Sequence, residues 1–399
     1  ASGAEVGPLH GVPVLHKDLL ETAGVRTTFG SPIFAQHVPV TDAPIVARMR
    51  AAGAIMLGKT NTPEFGAGSQ TFNPVFGATR NPYDLSRTCG GSSGGSAVAL
   101  ACGMAALATG TDMGGSLRNP ASFCNVVGLR PSPGLVPMPK AGEAWDALNV
   151  HGVMGRNVGD VAFAMSVLAP GNWATGRAAD PRGVRIAFSE DGGGLPVAPE
   201  VRDVMRGARQ VLESLGYAVV DDWPDFSGAD VAFETIRAAA FAAELGALYA
   251  HEAGRMKLTV RQNIEAGQQL SPDALRLGWE LRAGLRRRVA AFLDQTPFLV
   301  LPTVQVPPFP LEQEYVAEIA GVQMRSYVEW MRSCSRISVA GVPAISIPAG
   351  FTPAGLPVGM QIVGRAGSDA HLLALATAIE HATGQGSRRP PLFGRVAGE

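Results

Sequence analysis

The chain has 399 residues, of which 46% are hydrophobic and 17% are charged, and its formal net charge is -1 at pH 7. This composition supports a large buried core and excludes an intrinsically disordered protein. The short basic run at 286–288 is interpreted as a solvated helix face, so we expect no nucleic-acid partner.

Apolar stretches and cysteines exclude further classes of protein. The longest apolar stretch, 97–108, is too short to span a bilayer, which takes about 20 residues. The cysteines include no Cys-x-x-Cys pair and accompany no histidine cluster; they are Cys89, Cys102, Cys124 and Cys334. We therefore expect no membrane span, no metal site and no disulfide framework, and reduced thiols in a cytoplasmic protein.

The predicted elements alternate between helix and strand from the start of the chain. Residues 44–52 predict a short helix, 54–58 predict a buried strand, and a helix rich in small residues follows Ser96. Because that helix starts directly after glycines, its positive N-terminal end should face the glycine-serine cluster 88–96.

The second half of the chain carries the clearest periodic pattern. Apolar residues repeat at helical spacing from Val201 to Leu215, and Gly216 ends this helix. Ser368 should cap a last helix. Strands are predicted at 184–188, 217–220, 344–347 and 358–363. This alternation predicts an α/β sandwich of helices packed on a large sheet.

Two clusters of glycine and serine, at 88–96 and 110–116, are the first candidates for chemistry. In the second cluster, Gly114 and Gly115 precede Ser116 and allow a tight turn whose backbone N–H groups point one way. Such a turn can hold an oxyanion and lower a barrier by roughly 2.7–4 kcal/mol per donor. The serine could then attack a carbonyl, although a glycine-rich turn with a capping serine is the ordinary alternative.

Lys17 is the candidate base. A lysine acts as a base when burial or nearby positive charge lowers its pKa, whereas an ordinary lysine lies on the surface. Lys17 is far from Ser116 in sequence, and Ser92 could bridge the two by passing a proton between them. A phosphate-cradling loop is the alternative for the glycines around Ser92, but the Walker order Gly-x-x-x-x-Gly-Lys-Ser/Thr is absent.

Together these motifs resemble the amidase signature family of Ser-cisSer-Lys hydrolases, over almost the whole chain. The matching segments are GPLHGVP at 7–13 with Lys17-Asp18, GKTNTPEF at 58–65, NPY at 81–83, TCGGSSGGS at 88–96, residues 110–131, GVPAISIP at 341–348 and GLPVGMQ at 355–361. The resemblance implies one domain over 1–399, built as a single large α/β/α sandwich around a mixed, twisted β-sheet.

The resemblance also implies roles for individual residues. Ser116 would be the nucleophile, Ser92 the relay on a cis peptide after Gly91, and Lys17 the base, neutral at rest. The oxyanion would meet the backbone amides of Met113, Gly114, Gly115 and Ser116. The substrate's acyl part would be bordered by Gly90, Gly91 and Cys89, and the loops would be braced by Ser93, Thr111, Asp112 and Arg118. The resemblance implies no metal or cofactor, a small-molecule amide as substrate, and a monomer or homodimer.

Three residues depart from the family pattern. Cys89 replaces a usual proline, and it could either reshape the edge of the pocket or be a buried, inert thiol. His16 replaces a usual aliphatic residue, and it could tune Lys17 or simply pack in the core. Leu135 stands where an arginine is frequent.

A stand-alone amidase of this kind could also cleave esters or carbamates, as an aryl amidase or urethanase does, since all pass through a tetrahedral oxyanion. One alternative is the A subunit of a tRNA-dependent amidotransferase, although the stretch 132–135 resembles the stand-alone amidases instead. Another is an α/β-hydrolase-type esterase with Ser93 as nucleophile in the Gly-x-Ser-x-Gly order at 91–95. It would need a histidine, for which the candidates are His151, His251, His371 and His381. A binding protein with a dead site is disfavoured because every matching catalytic position is filled.

The sequence does not name the substrate. Residues 223–330 look less regular than the rest, and we interpret them as a variable pocket wall and cover. Loops near Asn73 and at 138–148 should add to specificity. Aromatic residues could form an apolar, aryl-binding pocket or belong to the core; they are Trp145, Trp223, Trp279, Tyr327 and Trp330.

Overall fold

The structure is a computed structural model that describes residues 6–139, 148–173 and 181–391. One large sheet in these ranges contains β1 (Pro13–Lys17), β2 (Ile55–Thr60), β3 (Leu107–Asp112), β4 (Val127–Arg130), β5 (Val150–Gly155), β6 (Arg185–Phe188), β7 (Ala218–Asp221), β8 (Phe298–Pro302), β9 (Ala344–Phe351) and β10 (Pro357–Gly364). The α-helices are α1 (Pro44–Ala51), α2 (Gly94–Ala101), α3 (Arg118–Phe123), α4 (Val158–Leu168), α5 (Pro199–Ser214), α6 (Ala229–Glu252), α7 (Leu258–Gln268), α8 (Pro272–Gln295), α9 (Arg332–Ala340) and α10 (Asp369–Thr383).

The sheet is mixed, as predicted. Its strand order is β7-β6-β8-β10-β9-β4-β5-β3-β1-β2. The strands β2, β1 and β3 run parallel at one end, and β7, β6 and β8 run parallel at the other. The pairs between these two groups are antiparallel.

Neighbouring residues of the strands belong to two different hydrophobic clusters. Ile186 and Ile362 pack with side chains of α4, α5 and α10. Their neighbours Ala187 and Val363 pack with side chains of α6, α8 and α9. Because successive strand residues point to opposite faces, the sheet has helices on both faces. The predicted α/β/α sandwich is therefore confirmed.

The helix α5 shows how the sequence pattern produces an element of this sandwich. Val201, Met205 and Leu212 are buried at helical spacing and face the sheet. Each such side chain contributes about 1.5–3 kcal/mol of transfer free energy when fully buried. Pro199 starts the helix, where its missing N–H has no cost. The turn after the helix contains Gly216, whose φ of 91° suits glycine.

Two expectations about helices are corrected. Residues 223–330 are not irregular, because α6 and α8 contain 24 residues each and α7 lies between them. Ser368 does precede α10, but its hydroxyl donates to the carbonyl of Arg365 and does not cap the helix. Within the described ranges, every helix lacks the combination of length and apolarity that crossing a bilayer requires.

Candidate active site

Lys17 is the last residue of β1 and lies where the parallel strands β1, β2 and β3 end. Its side chain is fully buried. The Nζ atom lies 2.7 Å from Ser92 Oγ, 3.0 Å from Ser93 Oγ and 3.0 Å from Thr111 Oγ1. The two serines belong to the turn before α2, and Thr111 belongs to the end of β3. The fold thus brings the candidate base into contact with the candidate relay.

The surroundings of Lys17 favour a neutral amine. Burial lowers the pKa of Lys17 from 10.5 to about 7, and the Asp112 carboxylate partly opposes this shift. The three groups in contact with Nζ are hydroxyls, none of which carries a compensating negative charge. An amine with this pKa is available as a proton acceptor near neutral pH.

The turn that carries Ser92 contains the predicted cis peptide between Gly91 and Ser92. Asn119 Nδ2 donates to the carbonyl of Gly91 at 2.9 Å and so holds the turn in place. A Cβ atom on Gly91 would lie 2.9 Å from the backbone of Gln70, so this close approach requires glycine. Asn119 was not predicted from the sequence, although it lies three residues after the candidate nucleophile.

Ser116 lies in the turn from β3 into α3 and faces a cavity. Its carbonyl accepts a hydrogen bond from the N–H of Ser93 at 3.2 Å, which ties the two glycine-serine turns together. Gly115 has a φ of 124°, and a Cβ atom there would lie 2.5 Å from Cβ of Cys334. Any larger residue at 115 would therefore displace the turn that positions Ser116.

The N–H of Gly115 was predicted to bind the oxyanion, but in the structure it has another acceptor. It donates to Asp112 Oδ1 at 2.9 Å and is therefore occupied. In the part of the chain that the structure describes, no hydrogen bond occupies the N–H groups of Met113, Gly114 or Ser116. These three residues line the cavity, so their amides can receive an oxyanion.

Asp112 is the centre of a fully buried ion-pair network. Its carboxylate accepts hydrogen bonds from Arg118 at 2.9 and 3.0 Å, from Arg130 at 3.1 Å and from the N–H of Leu117 at 3.1 Å. Burial alone would raise the pKa of Asp112, but the two guanidinium groups hold it well below its usual range. Arg130 was missed from the sequence, although an arginine at the end of the apolar strand β4 is a sign of a buried ion pair.

The cavity in front of Ser92 and Ser116 has a volume of about 530 Å³. Its wall is largely apolar, and one side is α6, which presents Phe233, Phe241 and Leu245 at helical spacing. Other lining residues include Leu19, Phe29, Phe34, Phe65, Thr111, Asn149, His151, Arg237, Glu244, Leu248, Tyr327, Val328 and Met331.

Of the aromatic residues considered from the sequence, Tyr327 lines the cavity. Trp330 is fully buried and donates to Ser69 Oγ. Trp279 packs against the hydrophobic cluster of α6, α8 and α9, and Trp223 is 45% exposed. Trp145 lies outside the described residues. The aromatic wall comes instead from phenylalanines, whose positions in three separate segments gave no local signal.

The loops expected to add specificity contribute little that the structure describes. Asn73 is buried, and its side-chain amide donates to Asn61 and to the carbonyl of Thr62. It does not line the cavity. Most of 138–148 lies outside the described residues.

Cys89, Gly90 and Gly91 do not line the cavity. Cys89 is fully buried, and its Sγ donates to the carbonyl of Thr79 at 3.3 Å. Burial raises the pKa of the Cys89 thiol to about 12. Cys89 was predicted to border the substrate, whereas these facts favour the alternative of an inert thiol. The two glycines shape the turn without facing the cavity.

Ser93 is not placed as the nucleophile of an α/β-hydrolase-type esterase. Its side chain is fully buried, contacts Lys17 and donates to the carbonyl of Thr111 at 3.4 Å. His151 lines the cavity opposite Thr111 in β5, but its Nδ1 is buried without a hydrogen-bond partner in the described chain. Burial, with a smaller effect of Lys17, lowers the pKa of His151 to about 4. The remaining candidates lie on α6 and α10; they are His251, His371 and His381.

The two other departures from the family pattern are packed residues. His16 Nδ1 lies 2.9 Å from Thr109 Oγ1, and burial lowers the pKa of His16 to about 3. This histidine is neutral at physiological pH, which favours packing over tuning of Lys17. Leu135 is partly buried and packs against the hydrophobic cluster that contains Ile186 and Ile362.

Known proteins resemble the chain over nearly its whole length. The family model of the amidases matches residues 1–373. The chain belongs to the amidase signature family. The A subunit of the glutamyl-tRNA(Gln) amidotransferase of Ralstonia nicotianae is 33% identical, over 98% of this chain and 88% of its own length. The acylamidase of Rhodococcus erythropolis is 32% identical, over 98% of this chain and 85% of its own length.

Solved structures agree with this assignment. The structure of 6-aminohexanoate cyclic dimer hydrolase with its substrate has a TM-score of 0.88 at 29% identity and covers 97% of this chain and 88% of its own. A bacterial aryl acylamidase of the amidase signature family also has a TM-score of 0.88, at 28% identity, over 96% and 85% of the two chains. The predicted amidase signature fold is confirmed, and this amidase is an amide-hydrolysing enzyme. The alternatives of an α/β-hydrolase fold and of a binding protein with a dead site are wrong.

Proposed function

We propose that this amidase cleaves a carboxylic amide through an acyl-enzyme on Ser116, with Ser92 as the proton relay and Lys17 as the base. One observation carries the proposal: Lys17 Nζ contacts Ser92 Oγ at 2.7 Å, while Ser92 faces the same cavity as Ser116. Lys17 is buried and does not line that cavity. A base in this position needs an intermediary to reach the nucleophile, and the position of Ser92 supports that role.

The hydrogen-bond pattern supports a direction for the proton. A neutral lysine has two N–H donors and one lone pair, and Lys17 has three hydroxyl neighbours, so one neighbour must donate to it. Ser93 donates its hydroxyl hydrogen to the carbonyl of Thr111 and therefore accepts from Lys17. Ser92 and Thr111 could each donate to Lys17, and we assign this role to Ser92, which lies nearest to Nζ and can in turn accept the hydroxyl hydrogen of Ser116.

The reaction then follows in two halves. As Ser116 Oγ attacks the substrate carbonyl, its proton passes to Ser92 Oγ while the Ser92 proton passes to Lys17. The oxyanion accepts hydrogen bonds from the free amides of Met113, Gly114 and Ser116. The lysine returns its proton through Ser92 to the leaving amine, and the C–N bond breaks. Water, activated along the same route, then hydrolyses the Ser116 ester.

The cavity supports an apolar substrate. Its phenylalanine-rich wall suits an aryl or alkyl group, because burying such a group removes apolar surface from water. Esters and aryl carbamates pass through the same tetrahedral oxyanion, so we propose that they are also substrates. We therefore propose that the enzyme is an aryl amidase or urethanase and that it acts as a monomer or homodimer.

A second candidate function is the A subunit of a tRNA-dependent amidotransferase. The 33% identity to the Ralstonia nicotianae protein supports it about as well as the 32% identity to the acylamidase supports the first candidate. The two differ in their need for partner proteins. An isolated chain that hydrolyses amides with multiple turnovers favours the stand-alone amidase, whereas activity that requires copurified partners favours the other.

The proposal is tested with two lysines. Lys17→Met removes the proposed base, and Lys59→Met removes a half-buried lysine that contacts Thr22 Oγ1 at 2.9 Å and no catalytic residue. Both variants are assayed on an acyl 4-nitroanilide, the matching nitrophenyl ester, a nitrophenyl carbamate and the primary amide. We expect activity to vanish in Lys17→Met and to persist in Lys59→Met. Retained activity in a folded Lys17→Met enzyme would overturn the mechanism.

A further inference from the structure

Arg237 places a guanidinium group on the wall of the apolar cavity. The residue lies in the middle of α6, lines the cavity and is only 8% exposed. We propose that Arg237 forms an anion subsite, so that the preferred substrates are amides that carry a carboxylate several bonds away from the scissile carbonyl. This inference rests on the proposed function, because it concerns the substrate of the same site.

The partners of Arg237 are neutral. Its Nη1 donates to Asn263 Oδ1 and its Nη2 donates to the hydroxyl of Tyr327. The guanidinium carbon lies 4.7 Å from the ring centroid of Phe241 and 5.2 Å from that of Tyr327. Among the described residues, no carboxylate lies within ion-pairing distance of Arg237.

Other arginines of this enzyme in similar surroundings have a carboxylate. Arg118 and Arg130 are fully buried and share Asp112. Arg336, on the neighbouring helix α9, pairs with Asp230 at 2.8 Å. A buried charge is costly unless an opposite charge accompanies it, so an anion from outside the chain would be stabilised beside Arg237.

The geometry of Arg237 suits a carboxylate. Guanidinium has five N–H donors in a planar fork, and two of the Arg237 donors are used by Asn263 and Tyr327, which leaves donors for a ligand. Those two neutral acceptors, with the stacked aromatic rings, hold the group in one orientation. A group held in this way loses little conformational entropy when it binds a carboxylate.

The position of Arg237 along α6 sets the length of the substrate. Phe233, one turn earlier, packs against the turn of Ser116, since a Cβ atom on Gly114 would lie 2.7 Å from its ring. Four residues of helix advance about 6 Å, so the anion would sit about that far along the cavity from the reacting carbonyl. Glu244 also lines the cavity, is exposed and lies two turns beyond Arg237.

The carboxylate could belong to the acyl part or to the leaving amine, and two substrate pairs distinguish these sources. Glutaryl 4-nitroanilide is compared with pentanoyl 4-nitroanilide for the acyl side. For the amine side, 4-(butanoylamino)benzoate, an anilide with a free carboxylate on the ring, is compared with butanoyl anilide. Each pair is assayed with the wild type, with Arg237→Met and Arg237→Lys, and with Arg336→Met as an arginine control outside the cavity.

We expect the wild type to prefer the anionic member of one pair by about 10- to 100-fold in kcat/KM, equivalent to about 1.4–2.8 kcal/mol. Arg237→Met should lose that preference, because its kcat/KM should fall more on the anionic member than on the neutral one, and Arg237→Lys should recover part of it. Arg336→Met should keep the preference. Equal losses on both members, or no preference in the wild type, would refute the subsite and leave the proposed amidase mechanism intact.

A binding measurement separates failure of the subsite from failure of the mechanism. Calorimetry with the Ser116→Ala variant measures binding without turnover. One pair is glutaryl and pentanoyl 4-nitroanilide, and the other is 4-(butanoylamino)benzoate and butanoyl anilide. The subsite predicts that an anionic compound binds at least tenfold more tightly than its neutral counterpart, and that adding Arg237→Met abolishes the difference. Equal affinities in both pairs would refute the subsite, whether or not the wild type hydrolyses any of these compounds. A wild type that hydrolyses no amide would refute the proposed function, which is a separate result.

Discussion

Asp112 Oδ1 accepts a hydrogen bond from the N–H of Gly115 at 2.9 Å, so one carboxylate connects the buried arginines to the turn that carries Ser116. The same carboxylate lies close enough to Lys17 to oppose the lowering of its pKa. The position of the nucleophile and the protonation of the base therefore depend on a single buried side chain that does not line the cavity.

Replacing Asp112 should destabilise the fold as well as lower the activity. Asp112→Asn leaves Arg118 and Arg130 buried without a carboxylate, and breaking a buried ion pair in this way costs about 3–5 kcal/mol. Urea denaturation followed by fluorescence measures the free energy of unfolding. Asp42→Asn is the control, because Asp42 pairs with Arg50, which is largely exposed. A loss no larger than that of the control would contradict the structural role of Asp112.

The lowered pKa of Lys17 predicts the pH dependence of activity. Because the neutral amine is the base, kcat/KM should rise with pH through about 7 and then level off. Initial rates with a neutral anilide between pH 5.5 and 9.5 measure this inflection. An ascending limb centred near pH 10, the ordinary range of lysine, would show that the base is solvated or is another residue.

The same pKa predicts how stability depends on pH. Since the folded-state pKa of Lys17 is lowered from 10.5 to about 7, the unfolded chain binds more protons between these values. The contribution of Lys17 to the free energy of unfolding should therefore increase as the pH rises from 7 towards 10.5. Urea titrations of the wild type and Lys17→Met measure the difference. If this difference were independent of pH, the lysine would not be desolvated in the fold.

The hydroxyl groups in contact with Lys17 should contribute unequally to the catalytic rate. Ser92→Ala removes the proposed relay and should lower kcat by about 10²–10⁴-fold. Thr111→Val removes one hydrogen-bond partner of the amine, and a loss of about 0.5–1.5 kcal/mol corresponds to roughly 2- to 13-fold. Stopped-flow or steady-state rates on one ester give both numbers. Equal effects of the two substitutions would remove the special role of Ser92.

The buried thiol of Cys89 should be chemically inert. Its side chain is fully buried and its pKa is raised to about 12, whereas Cys102 is partly exposed. Iodoacetamide labelling of the folded enzyme, followed by peptide mass mapping, should modify Cys102 long before Cys89. Denaturation should make both equally reactive. Early labelling of Cys89 with loss of activity would restore it as a residue of the pocket.

Local patterns were enough to predict much of the fold. The sequence predicts the strands 344–347 and 358–363 because most of their residues are apolar, and in the structure β10 is buried at every position. The helix α5 was recognised because a single apolar face repeats along it. The pattern of α6 is broader, since this alanine-rich helix contacts the core, α7 and the cavity, and the sequence therefore failed to reveal it.

The candidate site was predictable where residue type and backbone geometry coincide, as in the contact of Lys17 with Ser92. It was not predictable where long-range packing decides the outcome. The occupation of the Gly115 N–H depends on how Asp112 is turned by two arginines, and the exposure of Arg237 to the cavity depends on the path of α6. Neither has a local sequence pattern.

The most direct test of the proposed mechanism is to locate the acyl group during turnover. A nitrophenyl ester is mixed with the enzyme, the reaction is quenched with acid within the burst phase, and the peptides are mapped by mass spectrometry. We predict an acyl group on Ser116 in the wild type, no acyl group in Ser116→Ala, and strongly slowed acylation in Lys17→Met. Acylation of Ser93 or of another residue, or unchanged acylation in Lys17→Met, would contradict the mechanism.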